Sequence, residues 1–128
     1  MQHLNSNATR IFKAILERLG ESEYCKIENS TVFMAVNVDR ISPSQVSIAH
    51  NSEQNGDFMR DPDMTFWLAP DDNVYPCTYQ NDYLGLYQEA VTFVGDMPHT
   101  YKPNMQADLA KFADHWLDNI ANQQEIAA

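Results

Sequence analysis

A chain of 128 residues, 44% hydrophobic and 11% aromatic, has enough apolar material to pack one core, which excludes a disordered chain. Eight lysines and arginines against eighteen aspartates and glutamates leave a net charge of −10, a field that repels phosphate backbones and argues against direct nucleic-acid binding. No apolar run approaches the roughly 18 residues of a membrane span, and polar residues 1–8 lack a cationic stretch before an apolar one, so one soluble cytoplasmic domain over residues 1–128 is expected.

In residues 7–20, Ile11, Phe12, Ile15, Leu16 and Leu19 recur at steps of three and four, the spacing of one helical face. Ser6 or Asn7 is the expected N-cap, and Gly20 suits the left-handed geometry that ends a helix. A weaker strand is expected over residues 24–28. The period then becomes two: Val32, Met34, Val36 and Val38 alternate with Phe33, Ala35 and Asn37, a strand apolar on both faces and hence central. After a turn at Ser42, Pro43 and Ser44, Val46 and Ile48 alternate with Gln45 and Ser47, a strand with one wet face.

Residues 51–56 read as a polar loop, followed by a strand in which Met64, Phe66 and Leu68 oppose Thr65, Trp67 and Ala69. Pro70, Asp71, Asp72 and Asn73 turn the chain. Residues 74–80 and 84–94 read as a hairpin around Asn81 and Asp82. Pro98 and Pro103 bracket an extended connection. Behind Asn104 as N-cap, Leu109, Phe112, Ala113, Trp116, Leu117 and Ile120 repeat at helical spacing. Strands gathered between two amphipathic helices predict an α+β fold: an antiparallel sheet of about five strands, with the N- and C-terminal helices packed on it.

Candidate chemistry is sparse. Asp57, Asp61 and Asp63 form the densest acidic group, but no calcium-loop spacing surrounds them, and Pro62 biases Asp61 towards an extended or turn conformation. Glu89 interrupts an apolar and aromatic strand, where burial would alter its proton affinity. His3, His50, His99 and His115 show no i, i+4 pairing, and His115 falls off the buried stripe of its helix. Cys25 and Cys77 stand in no metal or redox spacing and read as small buried hydrophobes. No Walker or dinucleotide glycine pattern occurs, and no serine or cysteine sits in a nucleophile turn. Neither a metal nor a cofactor is expected.

Three phrases carry a resemblance. They are Asp61-Pro62-Asp63-Met64 entering a strand; the run from Tyr79-Gln80-Asn81-Asp82-Tyr83-Leu84 through Gly85-Leu86-Tyr87-Gln88-Glu89-Ala90-Val91; and Tyr101 to Asn104 leading into Phe112 and Trp116-Leu117. Together they resemble an uncharacterised bacterial family, a domain of unknown function recurring in proteins of phages, plasmids and other mobile elements. The resemblance implies one compact domain with a sheet and a C-terminal helix, in a setting rich in small accessory proteins, and it assigns no catalytic residue.

Charge and missing motifs favour contact over catalysis. The leading expectation is an accessory binding protein that meets a basic protein partner through an acidic, aromatic-rimmed surface, with Asp61, Asp63, Asn81, Asp82, Gln88 and Glu89 as candidate binding residues. The alternative is a small enzyme or ligand-binding domain that uses Glu89, Asp61 or Asp63 as acid, base or cation ligand in a sheet-helix cleft. Self-association through a free sheet edge is left open.

Overall fold

The computed structural model describes residues 1–29 and 32–127. Its elements run α1 (Ser6–Leu19), β1 (Tyr24–Ile27), β2 (Val36–Ser42), β3 (Gln45–Gln54), β4 (Asp57–Leu68), β5 (Val74–Asn81), β6 (Leu86–Glu89), β7 (Val91–Val94), β8 (Met97–Tyr101) and α2 (Pro103–Gln124). Six strands form one antiparallel sheet in sequence order, β1 to β6, and β7 and β8 pair as a separate ribbon. The fold is α+β as the pattern predicts, with six strands in the main sheet rather than about five, and a ribbon besides.

Both helices cover one face of the sheet. α1 buries Ala8, Ile11, Phe12, Ile15 and Leu19, and Phe12 meets Phe66 of β4 with ring centroids 5.3 Å apart. α2 buries Leu109, Ala110, Ala113, Trp116, Leu117 and Ile120. Phe112, expected on that stripe, lies at its edge, 39% exposed, against Tyr79 of β5. Two buried glutamines staple α2 to its surroundings. Gln106 accepts from the Gln2 amide (2.6 Å) and donates to the Gln2 and Pro76 carbonyls, while Gln124 accepts from the Asn29 amide (2.8 Å) and donates to the Met34 carbonyl. Each buried amide thus meets partners of both kinds, which offsets its loss of water. Among the described residues, no helix is long and apolar enough to cross a membrane.

The differences from expectation lie at element ends and in the stretches 51–56 and 84–101. Asn5, not Ser6 or Asn7, caps α1, its side chain accepting from the Ala8 amide (2.8 Å). Gly20 ends α1 where anticipated and at a positive φ, but with φ 58° and ψ −130° it does not take the left-handed helical geometry expected of it. α2 opens on Pro103 rather than behind an Asn104 cap, because proline lacks the very amide that a first helical turn leaves unbonded. Residues 32–35 do not begin β2, and Val32 is 83% exposed. Residues 51–56 are not a loop: β3 continues to Gln54, and Asn55 and Gly56 (φ 53° and 85°) make the two-residue turn whose twist matches paired strands. The strand expected over residues 84–94 is broken at Ala90. Its amide donates to the Cys77 carbonyl and its carbonyl accepts from the Lys102 amide, after which the chain leaves the sheet edge and pairs with β8, within the stretch expected to be a plain connection.

Candidate functional site: the open face of the sheet

Directly paired residues on antiparallel strands point to the same face, and side chains alternate along each strand. Met64 and Phe66 of β4 are fully buried on the helix side, so Asp63 and Thr65 point the other way. The register then lays two rows of side chains across the six strands. One row is Lys26, Asn37, Ala49, Asp63, Gln80 and Tyr87; the other is Tyr24, Asp39, Ser47, Thr65, Thr78 and Glu89. Hydrogen bonds tie neighbours together: Ser47 Oγ donates to Asp63 Oδ1 (2.8 Å), Thr65 and Thr78 share a hydroxyl bond (2.6 Å), and Asn37 Nδ2 donates to Asn51 Oδ1 (2.7 Å).

The ribbon turns this face into a cleft. Asp96, in the β7–β8 turn, accepts from the hydroxyls of Ser42 and Ser44 and from Gln45 Nε2 (3.1 Å), which clamps the ribbon to the β2–β3 turn. Those bonds, that from Ser42 first, hold the Asp96 carboxyl below its ordinary range. Val91, Thr92 and Phe93 of β7 then face Gln45, Asp63, Thr65, Thr78, Gln80, Tyr87 and Glu89 across a cleft of ≈ 530 Å³. A second concavity of ≈ 310 Å³ shares Asp63 and is lined by Tyr24, Asn37, Asp39, Asn51, Phe58 and Arg60 among others. Asp63 sits where the two meet.

Burial raises the Asp63 carboxyl above its ordinary value; the Ser47 bond and the Arg60 charge oppose this, while Asp39 and Asp82 add to it. The Tyr87 phenol is raised as well, by burial first and then by the Glu89 carboxylate it bonds (3.4 Å). The cleft therefore offers hydroxyls, amides and two carboxyl groups, one of them half-buried and costly to keep charged without an opposite partner. Such a lining accepts hydrogen bonds from cationic or donor-rich groups.

The six sequence-nominated residues do not form one site. Asp63 and Glu89 line the open-face cleft together. Asp82 accepts from the Arg60 amide (2.8 Å), from Arg60 Nε (3.2 Å) and from Gln80 Nε2 (3.2 Å), bonds that lower its pKa, that of the Arg60 backbone foremost. Asp61, Asn81 and Gln88 belong to the helix side. Asn81 is buried; it donates to Asp61 Oδ1 (3.1 Å) and accepts from the Leu84 amide (3.2 Å), so it braces the turn instead of presenting an acceptor outwards. Gln88 is in register with Tyr79, whose ring meets Phe112 of α2. Glu89, expected to be partly buried, is exposed because its strand is the sheet edge and its face is the uncovered one. Asp63 and Glu89 thus face away from any cleft between sheet and helices.

The sequence reading passed over Gln45, Thr65, Thr78, Gln80 and Tyr87, which complete the cleft. Alternation against Met64 and Phe66 was enough to turn Asp63 and Thr65 outwards; which residues stand beside them depends on register, and the extra residues at Arg40/Ser42, Ala49/Asn51 and Thr65/Phe66 shift that register. Among the described residues no group of three or more His, Cys, Asp or Glu is placed to hold a metal ion.

Fold and cleft together define an open-faced α+β domain, one antiparallel sheet with two helices on one side and a polar concavity on the other. The chain belongs to the family described as "Domain of unknown function (DUF6908)", which it matches over residues 9–126. Comparison with curated proteins and with solved structures finds no match.

Proposed function

We propose that this chain is an accessory protein-binding domain of a mobile genetic element, working in the cytoplasm, and that it receives a basic surface of its partner on the open face of the sheet. One observation carries the reading: Asp39, Asp63 and Glu89 lie on that concave face between the exposed aromatic rings of Tyr24 (51%), Phe58 (69%) and Tyr87 (57%). Aromatic anchors around a charged centre suit recognition, and a net charge of −10 attracts a basic partner from a distance. The mobile-element setting rests on the resemblance carried by residues 61–64, 79–91 and 101–104 leading into Phe112 and Trp116-Leu117.

A second reading, a small-ligand or catalytic cleft at the same place, is favoured by the raised Asp63 carboxyl beside Tyr87 and Glu89. Capture from a bacterial lysate at low and high salt separates the two, with wild type and the Asp63→Asn/Glu89→Gln variant as baits. The partner-binding reading expects a protein retained by wild type at low salt, released at high salt, and weakly held by the variant. Equal retention by both baits at every salt concentration contradicts it.

A further inference from the structure

On the helix side of the same sheet, two buried polar atoms lack a protein partner. His50 of β3 and Trp116 of α2 are each 6% exposed, and neither His50 Nε2 nor Trp116 Nε1 makes a hydrogen bond among the described residues. Their rings meet edge to face, centroids 5.5 Å apart and planes at 84°. Buried nitrogens in native proteins are nearly always bonded, to protein or to an ordered oxygen, and one shared partner would satisfy both of these at once.

The chemistry narrows what that partner is. Trp116 Nε1 carries a hydrogen and can only donate. His50 is neutral at pH 7, because burial lowers its pKa and the nearby Asp61 charge only partly opposes this; a neutral imidazole with its proton on Nδ1 accepts at Nε2. In that tautomer the shared group accepts from one ring and donates to the other; with the proton on Nε2 both rings would donate, and the Asp61 charge near His50 opposes the anion that two donors would hold. An anion only accepts and an ammonium only donates; a hydroxyl does both.

We propose that this end of the sheet is a buried hydroxyl-binding site, in which one O–H group donates to His50 Nε2, accepts from Trp116 Nε1–H, and so bridges β3 to α2. Water and a small alcohol share that chemistry. The polar side of the neighbourhood is the Asp61–Asn81 pair. Its apolar side is a line of rings: Trp116 stacks on Phe112 (6.2 Å), which meets Tyr79 edge-on (5.2 Å), and Phe112 is 39% exposed. That line gives the carbon end of an alcohol a surface to rest on and leads to solvent.

Nuclear magnetic resonance on wild-type protein, labelled with nitrogen-15 at histidine and tryptophan, tests the site without any variant that must refold. The expected result is a cross-peak from the Trp116 indole hydrogen to a hydroxyl proton, and His50 in the Nδ1–H tautomer with Nε2 shifted as an acceptor. Titration with ethanol identifies the source of the hydroxyl. A saturable shift of the Trp116 indole signal, with Trp67 unmoved, marks an alcohol site; a water cross-peak that persists unchanged marks a water site. Either an Nε2–H tautomer at His50, which leaves no acceptor for the O–H, or an indole hydrogen with neither a hydroxyl cross-peak nor an ethanol response overturns the proposal.

Discussion

Replacing Trp116 by alanine tests whether α2 holds the domain together. A buried aromatic removes about 150–250 Å² from water, worth about 4–6 kcal/mol at roughly 25 cal/mol per Å². Alanine keeps a small part of that, and the neighbours His50 and Phe112 close only partly over the gap, which places the loss at about 3–5 kcal/mol. An unfolding entropy of roughly 2.1 cal/mol/K per residue gives about 0.27 kcal/mol per kelvin for 128 residues, so the thermal midpoint should fall by about 11–19 °C. Circular dichroism melts of wild type, Trp116→Ala and Trp116→Phe give the answer, with the phenylalanine variant expected to lose less than half as much because it can still pack against Phe112. An alanine variant melting within about 2 °C of wild type would refute the claim that Trp116 is a core residue.

Three further outcomes follow from side chains whose proton affinity the fold alters. Asp63 has its folded pKa above the ordinary 3.8, so the stability it contributes is full below 3.8 and is lost as pH rises through the folded value; Asp63→Asn, which can still accept from Ser47, should be more stable than wild type at pH 7 and lose that advantage at pH 3. Denaturant midpoints at the two pH values check this, and an advantage equal at both would contradict it. His50 has its folded pKa below the ordinary 6.5, so its contribution is full above 6.5 and is lost as pH falls through the folded value; wild type should lose more stability than His50→Gln on acidification from pH 7 to pH 5, and parallel losses would be the contrary result. Burial pushes the Cys77 thiol up to about 12, while Cys25 is half-buried and raised less far, so a thiol reagent at pH 8 should modify Cys25 slowly in the native protein and reach Cys77 only on unfolding, as mass spectrometry of the labelled peptides would show.

The helices were legible because their signal is local. Ile11, Phe12, Ile15 and Leu19 mark a buried stripe whatever lies opposite, as Leu109, Ala113, Trp116 and Leu117 do for α2. The strands around Val46 and Met64 were legible by alternation. What escaped depends on pairing. Asn55-Gly56 is a strong hairpin signal, yet the polar run around it read as a loop, because β3 and β4 reach beyond the sheet's covered part, where alternation no longer marks a buried face. Phe93 and Pro98 became a ribbon because Ala90 redirects the chain, a tertiary contact with Cys77 and Lys102 that has no sequence mark. The candidate site divided for the same reason. Asp61 and Asp63 are two residues apart and would share a face in a regular strand, but Asp61 and Pro62 together oppose the one residue His50 between the pairs Ala49–Asp63 and Asn51–Arg60, and that bulge sends Asp61 to the helix side.

The open face as the partner's docking surface is tested most directly by association rates. Once a partner has been captured, its rate of binding would be measured across a salt series for wild type, for Asp39→Lys/Glu89→Lys on the open face, and for Glu17→Lys/Glu21→Lys, which changes net charge equally and includes α1 of the helical side. All four residues are exposed. Electrostatic steering onto the open face predicts association slowed about tenfold or more by the first pair at low salt, with a flattened salt dependence, and a smaller change, about twofold, for the second. Equal slowing by both pairs, or rates that ignore salt and charge reversal alike, would contradict the assignment of the interface to this face.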